Sequence, residues 1–381
     1  MEKEQICAYA LSRIFRFEPR IACALVRQMG SAAEIFSLDR GSLAQVLGLK
    51  YRDAIADASL DKYASELERI LSGGRYRYLC CSDPDFPVLL SECEDAPTGF
   101  FVRSEDSFAN IFGRECFSVV GTRDMSSYGR QWCDMLVRTL AGTIQRPTIV
   151  SGLAFGVDVT AHLSALDASL PTIAVLGTGV NVIYPKDHER IAERIMSTPC
   201  SAVISEYPPD EDVLATNFLS RNRIIAGLSR ATLLVESRLK GGGMSTARSA
   251  ASYNRDVFAL PGRNDDVRSQ GCNLLIQSQI AQAVTSCESL VSALGYKMDR
   301  KASASATAAV RVSDFYAGSS DAQKTGMMSR IIREIRSCRD ISLEDLASRT
   351  GYNIKDVTSL CRRLENDGFI SIDLLQQCSI S

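Results

Sequence analysis

The 381-residue sequence predicts an α/β protein built on a parallel sheet, preceded by a helical segment and closed by a winged helix. Three observations carry that expectation. From Cys116 onward, six short β-branched runs alternate with longer stretches of helical spacing. Before them, apolar residues recur at helical intervals, and after residue 325 three helical stretches lead into one alternating run.

In residues 1–75, Ile21-Ala22-Leu25-Val26, Ala32-Ile35-Phe36 and Leu43-Val46-Leu47 fall at helical spacing, the last ended by Gly48. Residues 76–102 combine a short apolar run, the turn-prone Ser82-Asp83-Pro84-Asp85-Phe86-Pro87 and a second run at Phe100-Phe101-Val102, and read as a connector into the sheet. The six strand runs are 117–120, 148–150, 172–176, 202–204, 232–235 and 257–260. Periodicity is then lost in an Ala/Ser-rich linker. Residues 328–335, 343–347 and 354–365 read as helices, Gly351 ends the second, and 368–372 alternates as a strand, the pattern of a winged helix. The expected divisions are a helical domain at 1–75, the sheet domain at 76–298, a linker at 299–324 and the winged helix at 325–381.

Apolar content of 45% and charged content of 23% are ordinary for a soluble globular chain. No apolar run approaches the roughly 18 residues of a spanning helix, and residues 1–5 are charged, so a cytoplasmic protein away from membranes is expected. The 13 cysteines are odd in number and include no Cys-x-x-Cys pair, which reads as reduced, mostly buried thiols. With His162 and His188 as the two histidines, no metal site or cofactor is expected. The net charge of −2 means that any attraction to nucleic acid must come from a local patch.

Ligands of open α/β sheets bind beyond the carboxyl ends of the strands. There the first run is followed by Gly121-Thr122-Arg123, the second by Ser151-Gly152-Leu153-Ala154-Phe155-Gly156-Val157-Asp158, and the third by Gly177-Thr178-Gly179. Three glycine turns on one edge predict an anion site, because backbone N–H groups can approach a phosphate closely there. Residues 217–248 hold Arg221, Arg223, Arg230, Arg238, Lys240 and Arg248 against Glu236 alone, a local charge of +5 that suggests a phosphate track. Phe155, Tyr184, Tyr207 and Phe218 interleave with these motifs, and bases stack on such rings for about 1–3 kcal/mol each.

Enzymatic signatures are missing from the sequence. Gly177-Thr178-Gly179 is followed by Val182 where a dinucleotide fingerprint needs its third glycine, and neither Gly-Lys-Ser/Thr nor Gly-x-Ser-x-Gly occurs. His162 reads as a helix-packing residue without a nucleophile beside it. Residues 325–381 carry eight basic against eight acidic side chains, which favours a protein-contact module over a DNA reader.

The series Val120-Gly121-Thr122-Arg123, 151–158 with Ala161-His162, and Tyr184-Pro185-Lys186 resembles the DprA/Smf family. So do Ser205-Glu206-Tyr207-Pro208-Pro209, the run 220–229 beginning Ser220-Arg221-Asn222-Arg223, and Val257-Phe258-Ala259-Leu260-Pro261-Gly262. The resemblance implies a Rossmann-like sheet with an N-terminal SAM-like helical domain and a C-terminal winged helix. It also implies a non-catalytic protein that binds single-stranded DNA, protects it and helps load RecA in transformation or recombination. Carried over by position, Arg123 and Lys186 hold phosphates, Arg221, Asn222 and Arg223 line the same crevice, and Ser151, Gly152 and Lys240 close it, with Phe155 beside them. The apolar series Leu274, Leu275, Ile276 and Ile280 resembles the family's self-association segment and implies a homodimer. Leu219, Asn181, His188, Ser252, Asn254, Gln279 and Ile280 depart from the family pattern, and none of them removes a basic residue of the crevice.

Two other readings compete. The loop Lys240-Gly241-Gly242-Gly243-Met244-Ser245-Thr246 is superficially similar to that of nucleotide phosphoribohydrolases of the lysine-decarboxylase-like group, which use Pro-Gly-Gly-x-Gly-Thr-x-x-Glu. Here Lys240 takes the Pro position and Arg248 brings no acid, so the general acid or base is missing. A transcription regulator acting through the winged helix is the third reading, weakened by that domain's balanced charge.

Overall fold

The structure, a computed structural model, describes residues 2–299, 322–337, 341–367, 369–373 and 376–380. It falls into two compact units, 1–298 and 299–381.

Six helices open the first unit: α1 (Lys3–Ile14), α2 (Pro19–Met29), α3 (Ala32–Ser37), α4 (Arg40–Leu47), α5 (Leu49–Ala56) and α6 (Leu60–Leu71). Their ends are set by local chemistry. Pro19 starts α2, the side chains of Ser31, Asp39 and Ser59 cap α3, α4 and α6, and Gly30 leaves α2 at φ +79°.

The sheet has nine strands: β1 (Arg77–Cys80), β2 (Gly99–Arg103), β3 (Cys116–Val120), β4 (Thr148–Ser151), β5 (Thr172–Val175), β6 (Ala202–Ser205), β7 (Ala231–Leu234), β8 (Asp256–Ala259) and β9 (Gln282–Ala283). Their order is β1-β2-β6-β5-β4-β3-β7-β8-β9, parallel from β6 to β9, with β1 and β2 added antiparallel at one edge. The six expected strands are β3 to β8. Residues 76–102, expected as a connector, instead supply two strands of the sheet itself. Leu79, Phe100 and Val102 enter the core on one face, while Tyr78, Cys80 and Phe101 complete the core of the N-terminal helices on the other. Strands buried on both faces read as plain apolar runs, so the sequence offers no alternation to mark them.

The remaining helices of this unit are α7 (Val88–Ser91), α8 (Phe108–Phe112), α9 (Ser127–Ala141), α10 (Val157–Asp167), α11 (Glu189–Met196), α12 (Ala215–Leu228), α13 (Gly242–Ser252), α14 (Gln270–Gln277) and α15 (Cys287–Ala293). Alternate residues of β3 sort them into layers. Phe117 and Val119 pack with Leu136 of α9, Ala161 of α10 and Leu290 of α15, whereas Val120 packs with Ile225 of α12, Met244 of α13 and Leu275 of α14. The chain leaves β3 toward β4 on one side and finds β7 on the other, so the loops after β3 and β7 part and open a crevice at that switch point.

The second unit packs helices Ala322–Ser337, Leu343–Thr350 and Ile354–Asn366 with an antiparallel sheet of β10 (Ile341–Ser342), β11 (Ile370–Ile372) and β12 (Gln377–Ile380), ordered β10-β12-β11. Gly351 at φ +72° ends the second helix and Asn353 caps the third, giving the expected winged helix. Most of the expected linker lies outside the described residues. No described helix is long and apolar enough to cross a membrane.

Candidate nucleic-acid interface

Beyond the carboxyl ends of β3 and β7 lies a crevice of about 650 Å³. The turn after β3 contributes Gly121, Thr122 and Arg123, α12 contributes Phe218, Arg221 and Asn222, and the segment after β7 contributes Arg238, Lys240 and residues 241–243. The floor is a close backbone approach. A Cβ on Gly243 would stand 3.0 Å from Gly121 Cα, and one on Gly121 would stand 2.5 Å from Val157 Cγ2 and 2.8 Å from Glu236 O. These glycines let the β3 turn, the start of α10 and the start of α13 meet. No side chain caps the first turn of α13. Its leading N–H groups and helix dipole are therefore offered to the crevice, an arrangement suited to an anion.

Arg221 sits at the bottom, 4% exposed, and its Nη1 donates to Val175 O. Gly152 makes this possible, because a Cβ there would lie 2.0 Å from Nη1. Arg221 Nε has no partner among the described residues. Burial lowers the Arg221 pKa, against the favourable charge of Asp158, and burial likewise raises the Asp158 pKa against the pull of Arg221. Asp158 is the single carboxylate among the residues lining the crevice. Arg123 is exposed above them, its guanidinium carbon 6.0 Å from the centre of the Phe218 ring, and Phe218 in turn packs 5.5 Å from the half-exposed Tyr184. Asn222 Nδ2 reaches Gly242 O at 3.4 Å.

Of the residues expected from the sequence, Arg123, Arg221, Asn222 and Lys240 come together around the crevice. Gly152 backs Arg221, and Ser151 is fully buried with its hydroxyl donating to Val119 O. Lys186 is exposed on the turn after Tyr184, and Phe155 is 46% exposed with its ring 4.9 Å from that of His188, both outside the lining residues.

Arg223 is a correction. It is 6% exposed, and its Nη2 donates to both carboxylate oxygens of Glu206 at 2.6 and 2.8 Å. Burial works against this cation and Glu206 outweighs it, so its pKa is raised. The reason is helical geometry: residues i and i+2 point to opposite sides of α12, so Arg221 and Arg223 cannot share one surface.

The third glycine turn is also packing rather than a phosphate cradle. A Cβ on Gly177 would stand 2.8 Å from the Phe218 ring, and one on Gly179 would stand 2.5 Å from Pro208 O. Tyr207, expected among the stacking rings, is 4% exposed. Conversely, residues 241–243 and Thr246 line the crevice, a role the sequence reading did not assign them. The available signal was a glycine run opening a helix after the fifth strand run.

The titratable groups around the sheet are engaged in structural contacts. His162 is fully buried, its Nδ1 2.7 Å from Thr172 Oγ1, and burial first, then Arg221, hold its pKa down to about 3. His188 Nδ1 lies 2.8 Å from Leu153 O. Glu236, the one acid of the basic stretch, accepts from Ser126 N–H at 2.9 Å and from its hydroxyl, closing the start of α9. Among the described residues no group of three metal-ligating side chains occurs.

A doubly wound α/β sheet with a basic, glycine-floored switch point, joined in one chain to a winged helix, defines the class of protein. Residues 77–295, more than half of the chain, match the family model of DNA recombination-mediator protein A, and the chain belongs to that family. Residues 328–371 match a winged helix-turn-helix DNA-binding model. Protein Smf of Escherichia coli is 38% identical over 253 residues, which span 66% of this chain and 66% of that relative. The structure of DNA processing protein A from Streptococcus pneumoniae superposes with a TM-score of 0.64 at 31% identity, covering 77% of this chain and 98% of that one. DNA processing protein A from Helicobacter pylori, described for its single-stranded DNA binding mode, gives a TM-score of 0.51 at 28% identity over 58% of this chain and 95% of that one.

Proposed function

We propose that this chain is a non-catalytic, cytoplasmic binder of single-stranded DNA that holds successive phosphates in the crevice and passes the strand to RecA during recombination or transformation. The observation that carries the reading is Arg221, a buried guanidinium whose Nε lacks a partner, set between the uncapped start of α13 and the exposed Arg123. A buried donor without a partner costs about 1–3 kcal/mol. A phosphate brought to this crevice meets several donors at once. Tyr184 and Phe218 offer ring surface to unpaired bases, which a duplex keeps stacked. Lys186 and Phe155 stand outside the rim, placed to meet the strand as it leaves.

The test is a titration with labelled single-stranded and duplex DNA at several salt concentrations. About four phosphate contacts give a slope of log affinity against log salt of roughly −3. Arg123→Glu with Lys240→Glu should weaken single-strand binding by about a hundredfold and flatten that slope. Wild-type affinity in that variant would remove the crevice from the reading.

Self-association is proposed through the end of α14, on a narrower surface than the apolar series suggests. Leu275 is 1% exposed within the sheet core, whereas Ile280 is 40% exposed. Ile280→Glu should therefore separate a dimer without unfolding it, read by light scattering.

A second DNA contact is favoured by the face of helix Ile354–Asn366 formed by Lys355, Thr358, Ser359, Arg362, Arg363 and Asn366, which includes no carboxylate. Arg363 of this face stands 4.0 Å from Asp367, and Glu365 accepts from Ile372 N–H at 3.0 Å. A basic helical face of this kind suits the major groove of a duplex.

A further inference from the structure

Resting on the single-strand reading of the crevice, we propose that the strand continues past it over the carboxyl end of β8. There Arg263 and Arg268 form a second phosphate-binding surface, linked to the first by Arg238. Arg238 lines both the crevice and a neighbouring hollow of about 460 Å³ that contains Arg263, Asp265, Asp266 and Arg268.

The loop carrying these arginines is held in place before any ligand arrives. Ser237 N–H donates to Arg268 O at 2.7 Å, Gly271 N–H donates to Ser237 O at 2.8 Å, and Tyr128 Oη donates to Pro261 O at 2.8 Å. Arg268 Nε donates to Asp124 O at 3.0 Å, tying the loop to the residue after Arg123. Both sides of the crevice are thus braced against this second surface.

The carboxylates present do not close it. Asp124 is shared between Arg238 at 3.6 Å and Arg268 at 3.4 Å, and Asp266 stands 3.9 Å from Arg268. These separations exceed the roughly 2.7–2.9 Å of a charge-assisted hydrogen bond. Arg263 holds Asp265 with two hydrogen bonds, Nε to Oδ1 at 2.9 Å and Nη2 to Oδ2 at 2.8 Å, but both side chains are more than 70% exposed. Water screens a pair this exposed, so a phosphate can take the carboxylate's place on Arg263. Val267 lines the hollow and Leu239 follows Arg238 in the chain, and at 49% and 45% exposed they offer a sugar or base apolar surface.

The experiment uses the full chain and oligothymidylates of about six and about twenty nucleotides, one within a single site and one long enough to leave it. Arg263→Glu with Arg268→Glu is expected to weaken the longer oligomer by roughly tenfold and to leave the shorter within about twofold. The salt slope for the longer oligomer should fall by about 1.4, two contacts at about 0.7 each. Arg263→Glu alone, whose removal breaks only an exposed pair, should show a smaller loss with the same length dependence and guards against a folding effect at Arg268. Equal loss at both lengths, or no loss at either, overturns the second surface. Failure of the crevice itself is read separately, from the shorter oligomer with Arg123→Glu and Lys240→Glu.

Discussion

The two sides of α12 carry arginines to opposite fates. On the crevice side, Arg221 and Asn222 meet Arg123 and Lys240 with Asp158 as the lone lining carboxylate. On the reverse side, Arg223 Nη2 is held by both oxygens of Glu206, its Nε and Nη1 have no partner among the described residues, and nearby Tyr253 donates to Asp95 at 2.6 Å and Arg255 to Glu92 at 2.7 Å. On one side the arginine has a carboxylate hydrogen-bonded to it, and on the other it has none. The comparison teaches that arginines close together in one chain segment end up open or paired according to which side of the helix faces the acids.

The largest expected effect tests the closed side. Arg223→Ala leaves Glu206 buried without its partner and should destabilise the protein by about 3–5 kcal/mol in chemical denaturation, while folded molecules keep their DNA affinity. A loss of affinity at unchanged stability would erase the distinction between the two sides.

Arg221→Ala should do the reverse. It removes hydrogen bonds from a charged donor to phosphate, worth about 1.5–3 kcal/mol, so single-strand affinity should drop between about tenfold and a hundredfold. Stability should also fall, by less than in Arg223→Ala, because buried Asp158 loses the favourable charge of Arg221 and can take up a proton instead. Isothermal titration and denaturation of the same preparation decide between the outcomes.

His162 sharpens the comparison through pH. Its folded pKa of about 3 lies below the ordinary 6.5, so the unfolded chain binds its proton first as pH falls. The site leaves stability untouched above pH 6.5 and reduces it progressively between 6.5 and about 3, with about 2 kcal/mol lost by pH 5. His162→Gln should flatten that part of the stability curve. Arg221→Ala should shift it slightly toward higher stability in acid, since the Arg221 charge adds to burial in depressing this pKa.

The smallest effect concerns the second unit. Lys355→Glu with Arg362→Glu should weaken duplex binding several-fold, on the order of 1 kcal/mol, and leave single-strand affinity unchanged. Loss of both would mean that the two surfaces are not separate.

Much of this architecture is legible in the sequence, and the gaps have physical causes. The strands β3 to β8 show as β-branched runs because a central parallel sheet buries both faces. The outer strands β1 and β2 show the same kind of run, but the four-residue α7 between them is too short to show helical spacing, and so the stretch reads as a connector. At the site, Arg123, Arg221, Asn222 and Lys240 could be found because glycine turns and charge mark the carboxyl ends of strands. The charge count and the family resemblance place Arg223 with them, but α12 rotates it away toward Glu206. Gly177 was grouped with the other turns by composition, and what distinguishes it is the Phe218 ring pressed against it from α12, a contact no local pattern encodes. Charge counts over residues 325–381 conceal the separation of basic and acidic residues around one helix.

The shared core of the N-terminal helices has a consequence for the chain during synthesis. Tyr9 packs edge-on against Tyr78 and Phe101, at 5.8 and 6.0 Å, so the helices that emerge first are completed by strands that follow them. A cut near residue 75 would strip the aromatic floor from these helices and expose the back of β1 and β2. The N-terminal segment is therefore inherited with the sheet edge it covers, and a graft that moves one without the other carries half of a hydrophobic core into water.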